Sequence, residues 1–112
     1  MEIGRVSDYY PDNWVVLKIQ NEGETLYKVL AGWSGGYLNG DSWRMNSGIT
    51  KAIIGGKHVI FEGASGSQYR CHRDGYRLTM ANSGVYNQLK ERFGDAIELM
   101  PEDTEWMELN YE

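Results

Sequence analysis

The sequence predicts an α+β fold: a bent antiparallel β-sheet or small barrel of five to seven strands, with one α-helix near residues 83–93. Three observations support this. Short β-branched and aromatic runs alternate with turn signals, fourteen glycines but only two prolines occur in 112 residues, and one segment has helical periodicity. This length suits a single domain. We place it at residues 1–100 and expect residues 101–112 to form an acidic tail.

The most regular part of the chain is an early hairpin. Trp14–Ile19 is apolar and β-branched, Asn21–Glu24 has turn residues, and Thr25–Ala31 is the returning strand. Gly55 and Gly56 predict a second, two-residue turn. The other predicted strands are Ile49–Ile54, Lys57–Glu62, Ser67–His72 and Ala96–Met100, with shorter extended pieces at Asp41–Met45 and Tyr76–Met80.

A helix is predicted before the last strand. Val85, Leu89 and Phe93 recur every fourth residue, which places them on one helical face. The predicted ends are Asn82 or Ser83 as the N-cap and Gly94 as the C′ residue.

Charge is concentrated at the end of the chain. Residues 1–100 hold 11 basic and 11 acidic side chains, so the net charge of −5 comes from residues 101–112. The neutral body lacks the positive field expected of a nucleic-acid-binding protein. A single cysteine, no apolar signal segment and no membrane-length apolar run predict a cytoplasmic location and no membrane partner.

Two patterns raise the question of catalysis. Gly32–Gly36 fits G-x-S-x-G, but a nucleophile elbow needs a following helix and a large parallel sheet, so a glycine-rich loop is the preferred interpretation. A small hydrolase would use Ser34, with His72 or His58 as base. Cys71 is next to His72 on a predicted strand, so their side chains face opposite ways, and Cys71 is expected in the core. No metal or cofactor site is predicted, and catalytic activity is not expected.

Residues 32–77 interleave glycines, small hydroxyls, large aromatics and arginines. Glycine turns expose N–H groups to anions, arginine binds phosphate bidentately, and aromatic rings stack on bases. The alternative is structural, with glycine in hairpins, aromatics in the core and arginine in solvent. The candidate ligand-binding residues are Trp33, Ser34, Gly35, Gly36, Tyr37, Trp43, Arg44, Ser67, Tyr69 and Arg70.

The chain also resembles small proteins of tailed bacteriophages that have no assigned activity. The segments that carry the resemblance are 12–16, 27–37, 41–49 and 65–71, which include Ala31-Gly32-Trp33-Ser34-Gly35-Gly36-Tyr37 and Ser42-Trp43-Arg44-Met45-Asn46. The resemblance covers most of residues 12–100. It implies a phage protein acting in the cytoplasm of an infected bacterium, and it assigns no functional residue.

These observations lead first to a non-enzymatic binding protein that sequesters a small phosphate-bearing, nucleotide-like host molecule. The alternatives are an inhibitor or adaptor that binds a host protein through its surface and acidic tail, and single-stranded nucleic-acid binding. The exposed sheet edges of a β-rich domain also predict a homo-oligomer.

Overall fold

The computed structural model describes residues 8–36 and 40–111 and confirms the α+β fold class. Its strands and helix are β1 (Asp8–Tyr9), β2 (Asn13–Asn21), β3 (Glu24–Gly36), β4 (Gly40–Met45), β5 (Ile49–Gly55), β6 (His58–Gly63), β7 (Gln68–His72), α1 (Ser83–Phe93) and β8 (Ile97–Leu99). Short 3₁₀ turns cover Arg73–Gly75, Gly94–Ala96 and Trp106–Glu108.

The strands form two four-stranded sheets that do not close into a barrel. The first has the order β1-β7-β6-β5 and the second β4-β3-β2-β8. Strands β1 and β7 run parallel, whereas the other strand pairs in the described chain are antiparallel. The described residues form eight strands, one more than the upper limit of the expected five to seven, because two-residue β1 lies outside the sequence prediction. The extended piece expected at Tyr76–Met80 contributes only an isolated bridge from Tyr76 to Trp14.

The second sheet lies between two apolar layers. Trp14 and Val16 face the first sheet, while Val15 and Leu17, on the opposite face of β2, belong to a separate cluster. This second cluster is covered by α1 through Val85, Tyr86 and Leu89. Both faces of β2 are therefore buried, which explains its nearly continuous apolar sequence.

The turns follow the glycine pattern closely. Glu22 and Gly23 have positive φ angles of 51° and 86°, the combination required by a two-residue type I′ hairpin. The second hairpin turns at Gly56 and Lys57, one residue later than predicted, with Gly56 at φ 60°. Gly94 ends α1 as predicted, with φ 57° and its N–H donated to the Lys90 carbonyl.

The face of α1 that packs on the sheet is shorter than the fourfold spacing of its apolar residues predicts. Val85 and Leu89 pack on the second cluster, but Phe93 is half exposed, with the Arg92 guanidinium carbon 5.5 Å from its ring centre. Asn82 occupies the N-cap position without a side-chain capping bond. Its amide instead accepts from Thr79 N–H at 2.8 Å and donates to the Leu30 carbonyl at 3.3 Å.

Residues 101–111, termed the C-terminal segment, dock on the domain. Trp106 is buried, and its ring lies 5.7–5.8 Å from those of Trp14, Phe61 and Tyr76. Tyr111 contacts Tyr27 edge to face at 5.5 Å. The apolar residues of the tail therefore hold it in place, and its acidic side chains are carried on a fixed backbone.

Candidate functional site

Three of the predicted ligand-binding residues meet around Tyr9, where β1 and the ends of β3 and β4 approach β7. The Tyr9 ring lies 6.3 Å from Trp33 and 5.0 Å from Tyr69, and the Arg44 Cζ is 4.7 Å above it. We term Tyr9, Trp33, Arg44 and Tyr69 the rim cluster. Trp33, Arg44 and Tyr69, three of the candidate residues, therefore lie close together around Tyr9, which is not among the candidates.

Two members of the rim cluster, Trp33 and Tyr69, are already engaged in contacts within the protein. Trp33 Nε1 donates to the Tyr10 carbonyl at 3.0 Å, and Tyr69 is only 2 % exposed. Burial raises the pKa of Tyr69 to about 12, against the opposing effect of the Arg44 charge. Arg44 is exposed and has no carboxylate within 4 Å among the described residues. It is therefore the member of the cluster best able to bind a ligand.

Arg70 and Trp43 lie on other faces. Because Tyr69 is buried, the next side chain, Arg70, lies on the outer face of the first sheet. There its Nε is 3.8 Å from Asp8 Oδ2, and its Cζ is 6.0 Å from the exposed Tyr10 ring. Trp43 is half exposed and lies on the face of β4 shared with Met45, toward the helix. The predicted set is thus divided among three surfaces.

The remaining candidates contribute less to the described structure. Ser34, Gly35 and Gly36 belong to β3, where the register with β4 shifts between Trp33 and Gly36. The Ser67 carbonyl accepts from Gly63 N–H at 2.9 Å and closes the turn before β7. Tyr37 lies outside the described residues.

The hydrolase hypothesis required Ser34 to lie near a histidine. Ser34 follows Trp33, which lies beside Tyr9, and Tyr9 in turn contacts Tyr69, the second residue of β7. His72 is three residues further along β7, roughly 10 Å from Tyr69. His58 pairs with His72 at that far end, 5.2 Å between ring centres. Cys71 is fully buried, as predicted, and burial raises the pKa of its thiol.

A different region forms a cleft of about 850 Å³. It opens where the β5–β6 turn, the 3₁₀ turn after β7 and the C-terminal segment meet. Trp14, Val59, Tyr76 and Trp106 supply an apolar floor, and Ile54 flanks it. This volume is within the usual range for small-ligand sites.

Two polar groups of the floor, the Trp14 indole N–H and the Tyr76 hydroxyl, are already bonded within the protein. Trp14 Nε1 donates to the His72 carbonyl at 2.7 Å. The Tyr76 hydroxyl accepts from Val16 N–H at 3.2 Å and donates to the Met100 carbonyl. Burial raises the pKa of Tyr76 to about 12, with a smaller contribution from the Glu102 charge. The floor therefore offers apolar and aromatic contacts to a ligand. Charged groups of a ligand would be bound by the charged side chains that line the rest of the cleft.

Charge on the cleft walls is unequal. Lys57 and Arg73 line one side. The acidic lining residues are Asp74, Glu102, Asp103 and Glu105. With neutral histidine the lining carries two positive and four negative charges, a net charge of −2. Within residues 8–36 and 40–111, the three carboxylates that the C-terminal segment contributes to the cleft, Glu102, Asp103 and Glu105, have no cationic group within 4 Å.

Comparisons with protein-family models, curated proteins and solved structures found no match to this chain. In the described part of the chain, no helix is long and apolar enough to cross a membrane. No group of three or more His, Cys, Asp or Glu side chains there is arranged to hold a metal ion. The assignment of a function therefore depends on the chemistry of the two surfaces.

The cleft is not predictable from the sequence, although the sequence does show the apolar and acidic character of the residues that form it. Trp14 and Trp106 were recognised as apolar members of a strand and a tail, and the tail carboxylates as the source of the net charge. Nothing in the sequence indicated that residues 92 positions apart would share one floor. Docking of Trp106 creates the cleft and places the carboxylates beside it.

Proposed function

We propose that this protein is a non-enzymatic binding protein that captures another protein by a basic segment. The single observation that carries the proposal is the row of three carboxylates, Glu102, Asp103 and Glu105, along a ligand-sized cleft with an aromatic floor. None of the three pairs with a cation of the described residues. Lysine and arginine combine a cationic head with an apolar stem, which suits such a surface. This develops the inhibitor or adaptor alternative from the sequence analysis.

The fixed position of the carboxylates strengthens this argument. Trp106 lies between Glu105 and the exposed Met107 but is itself only 4 % exposed. A buried anchor in the middle of the acidic segment lowers the entropy lost when a partner binds. If the chain acts in an infected bacterium, as its resemblance to phage proteins implies, the partner would be a host protein.

The proposal is tested with a fluorescein-labelled peptide of alternating lysine and glycine, measured by fluorescence anisotropy at low salt. We expect Glu102→Gln, Asp103→Asn and Glu105→Gln together to weaken binding by about threefold to 150-fold, because three exposed ion pairs of about 0.2–1 kcal/mol each contribute about 0.6–3 kcal/mol. Raising the ionic strength should weaken binding of the unmodified protein as well.

The matched control neutralises Glu22, Glu24 and Glu91, three exposed carboxylates outside the cleft. This variant has the same net charge as the first one and should keep most of the affinity. Equal losses in both variants would indicate attraction to overall charge, and would contradict a specific site. No binding to the unmodified protein would contradict the proposed function itself.

The rim cluster favours a second candidate function, the capture of a phosphate-bearing, nucleotide-like molecule. Arg44 is exposed, pairs with no carboxylate of the described residues, and lies beside Tyr9 near the irregular end of β3 and β4. Its guanidinium is the natural phosphate contact, since arginine binds phosphate in two-pronged geometry. Arg70, on the outer face of the first sheet, would take no part in this arrangement.

This second candidate is tested with adenosine monophosphate and a single-stranded oligonucleotide, by calorimetry. We expect Arg44→Ala to weaken nucleotide binding about tenfold or more, because a hydrogen bond to a charged group contributes about 1.5–3 kcal/mol. Arg92→Ala, which removes an arginine from α1, is the control. Tighter, strongly salt-dependent binding of the oligonucleotide would favour single-stranded nucleic-acid binding instead.

A further inference from the structure

Two cations, Lys57 and Arg73, line the cleft together with the acidic C-terminal segment. Lys57 is in the β5–β6 turn and Arg73 begins the 3₁₀ turn after β7. Arg73 N–H donates to the Lys57 carbonyl at 2.8 Å, so the backbone holds these two residues together. Neither side chain has a carboxylate within 4 Å among the described residues. The cleft thus carries Glu102, Asp103 and Glu105 on the C-terminal segment, and Lys57 and Arg73, with Asp74 beside them, on the two turns.

A uniformly basic segment does not match both sets of charges. Its cations would be attracted by Glu102, Asp103 and Glu105, but those reaching the two turns would meet Lys57 and Arg73. Like charges placed opposite each other at an interface disfavour the wrong partner and fix the orientation of the right one. A ligand with a cation at one end and a carboxylate at the other would pair with both sets of charges.

We propose, on the basis of the proposed function, that the cleft selects a bipolar motif: a lysine or arginine followed closely by a carboxylate. The cation lies along the C-terminal segment and the carboxylate binds Lys57 and Arg73. The carboxylate is supplied either by an aspartate or glutamate side chain or by the C-terminus of the partner. The floor, formed by Trp14, Tyr76 and Trp106, contacts the apolar stem between the charges.

Four labelled peptides test this inference, each with one lysine in a glycine-serine context. The first has a glutamate two residues after the lysine and an amidated end. The second has glutamine at that position, and the third has glutamine with a free C-terminal carboxylate. The fourth keeps the glutamate but replaces lysine by norleucine. Binding is measured by fluorescence anisotropy against the whole protein.

We expect the first peptide, the third peptide or both to bind about fivefold or more tightly than the second, and the fourth to bind weakest. Which of the first and third binds tighter identifies the source of the carboxylate. Replacing Lys57 and Arg73 together by glutamine should remove this preference for a carboxylate, so that the first and third peptides bind with nearly the same affinity as the second. Replacing Lys51 and Arg92, which lie outside the cleft lining, should leave the preference unchanged.

The outcomes separate this inference from the proposed function. Suppose that the second peptide binds as tightly as the first and third, and that the norleucine peptide binds more weakly. The bipolar motif is then wrong, and the proposed binding of a basic segment stands. If the preference for a carboxylate survives in the Lys57 and Arg73 variant, the assignment of the carboxylate to these two cations is wrong. Failure of all four peptides and of the lysine-glycine peptide would overturn both proposals.

Discussion

Replacing Trp106 by alanine is expected to lower the free energy of unfolding by about 3–5 kcal/mol, the usual loss for a buried tryptophan. The side chain is 4 % exposed and meets the rings of Trp14, Phe61 and Tyr76. Its removal would leave a cavity among aromatic groups that cannot easily collapse. A domain of this size has about 5–15 kcal/mol of total stability, so the loss would be a large part of it.

The measurement is urea denaturation followed by far-ultraviolet circular dichroism, which does not depend on the missing tryptophan. Met107→Ala is the control, because Met107 is the next residue and 58 % exposed, and it should change stability by no more than about 0.5 kcal/mol. Similar values for the two variants would mean that the C-terminal segment does not dock as described.

This result also determines how the acidic segment should be studied. Truncation after Met100 would remove the carboxylates together with Trp106, so lost binding could reflect lost folding. Neutralising Glu102, Asp103 and Glu105 leaves the Trp106 anchor in place. The charge variants are therefore the decisive test of the proposed function.

Replacing Asn82 by alanine should cost about 2–4 kcal/mol. The side chain is fully buried, and its amide bridges Thr79 N–H and the Leu30 carbonyl. Without it, the buried Leu30 carbonyl and the partly buried Thr79 N–H lose their partner, and a buried group left without a partner costs about 1–3 kcal/mol. The loss would exceed that of an ordinary helix cap, which is about 1 kcal/mol.

Ser83→Ala is the matched comparison, since Ser83 was the other cap predicted from the sequence. It begins α1, and its change should be within about 0.5 kcal/mol in the same denaturation assay. A larger loss at Ser83 than at Asn82 would show that capping matters more than the bridge to β3.

Local pattern was sufficient for most of the secondary structure. The β2–β3 hairpin follows from two β-branched runs around a turn, and Gly94 ends α1 because glycine readily adopts its positive φ. Cys71 was assigned to the core by alternation with its neighbours. Strand β1 could not be predicted, because two residues carry no periodicity and its partner β7 is 60 positions away.

The candidate site was predictable only in part. Trp33, Arg44 and Tyr69 meet as their composition suggested, but alternation along β7 and β4 sends Arg70 and Trp43 to other surfaces. Interleaving in the sequence therefore does not mean clustering in space. Which face of a strand becomes the interior depends on what packs against it.

By itself, the sequence determined the fold class, the hairpins, the helix and the concentration of negative charge after Met100. These properties depend on residues that are close along the chain, where turn preferences and side-chain periodicity act directly. The tertiary structure alone decided that two sheets stack without closing, that α1 covers the second sheet, and that Trp106 enters the core. It also decided that the tail carboxylates border a cleft beside Lys57 and Arg73. Such contacts arise from the packing of distant apolar surfaces, which local patterns do not specify.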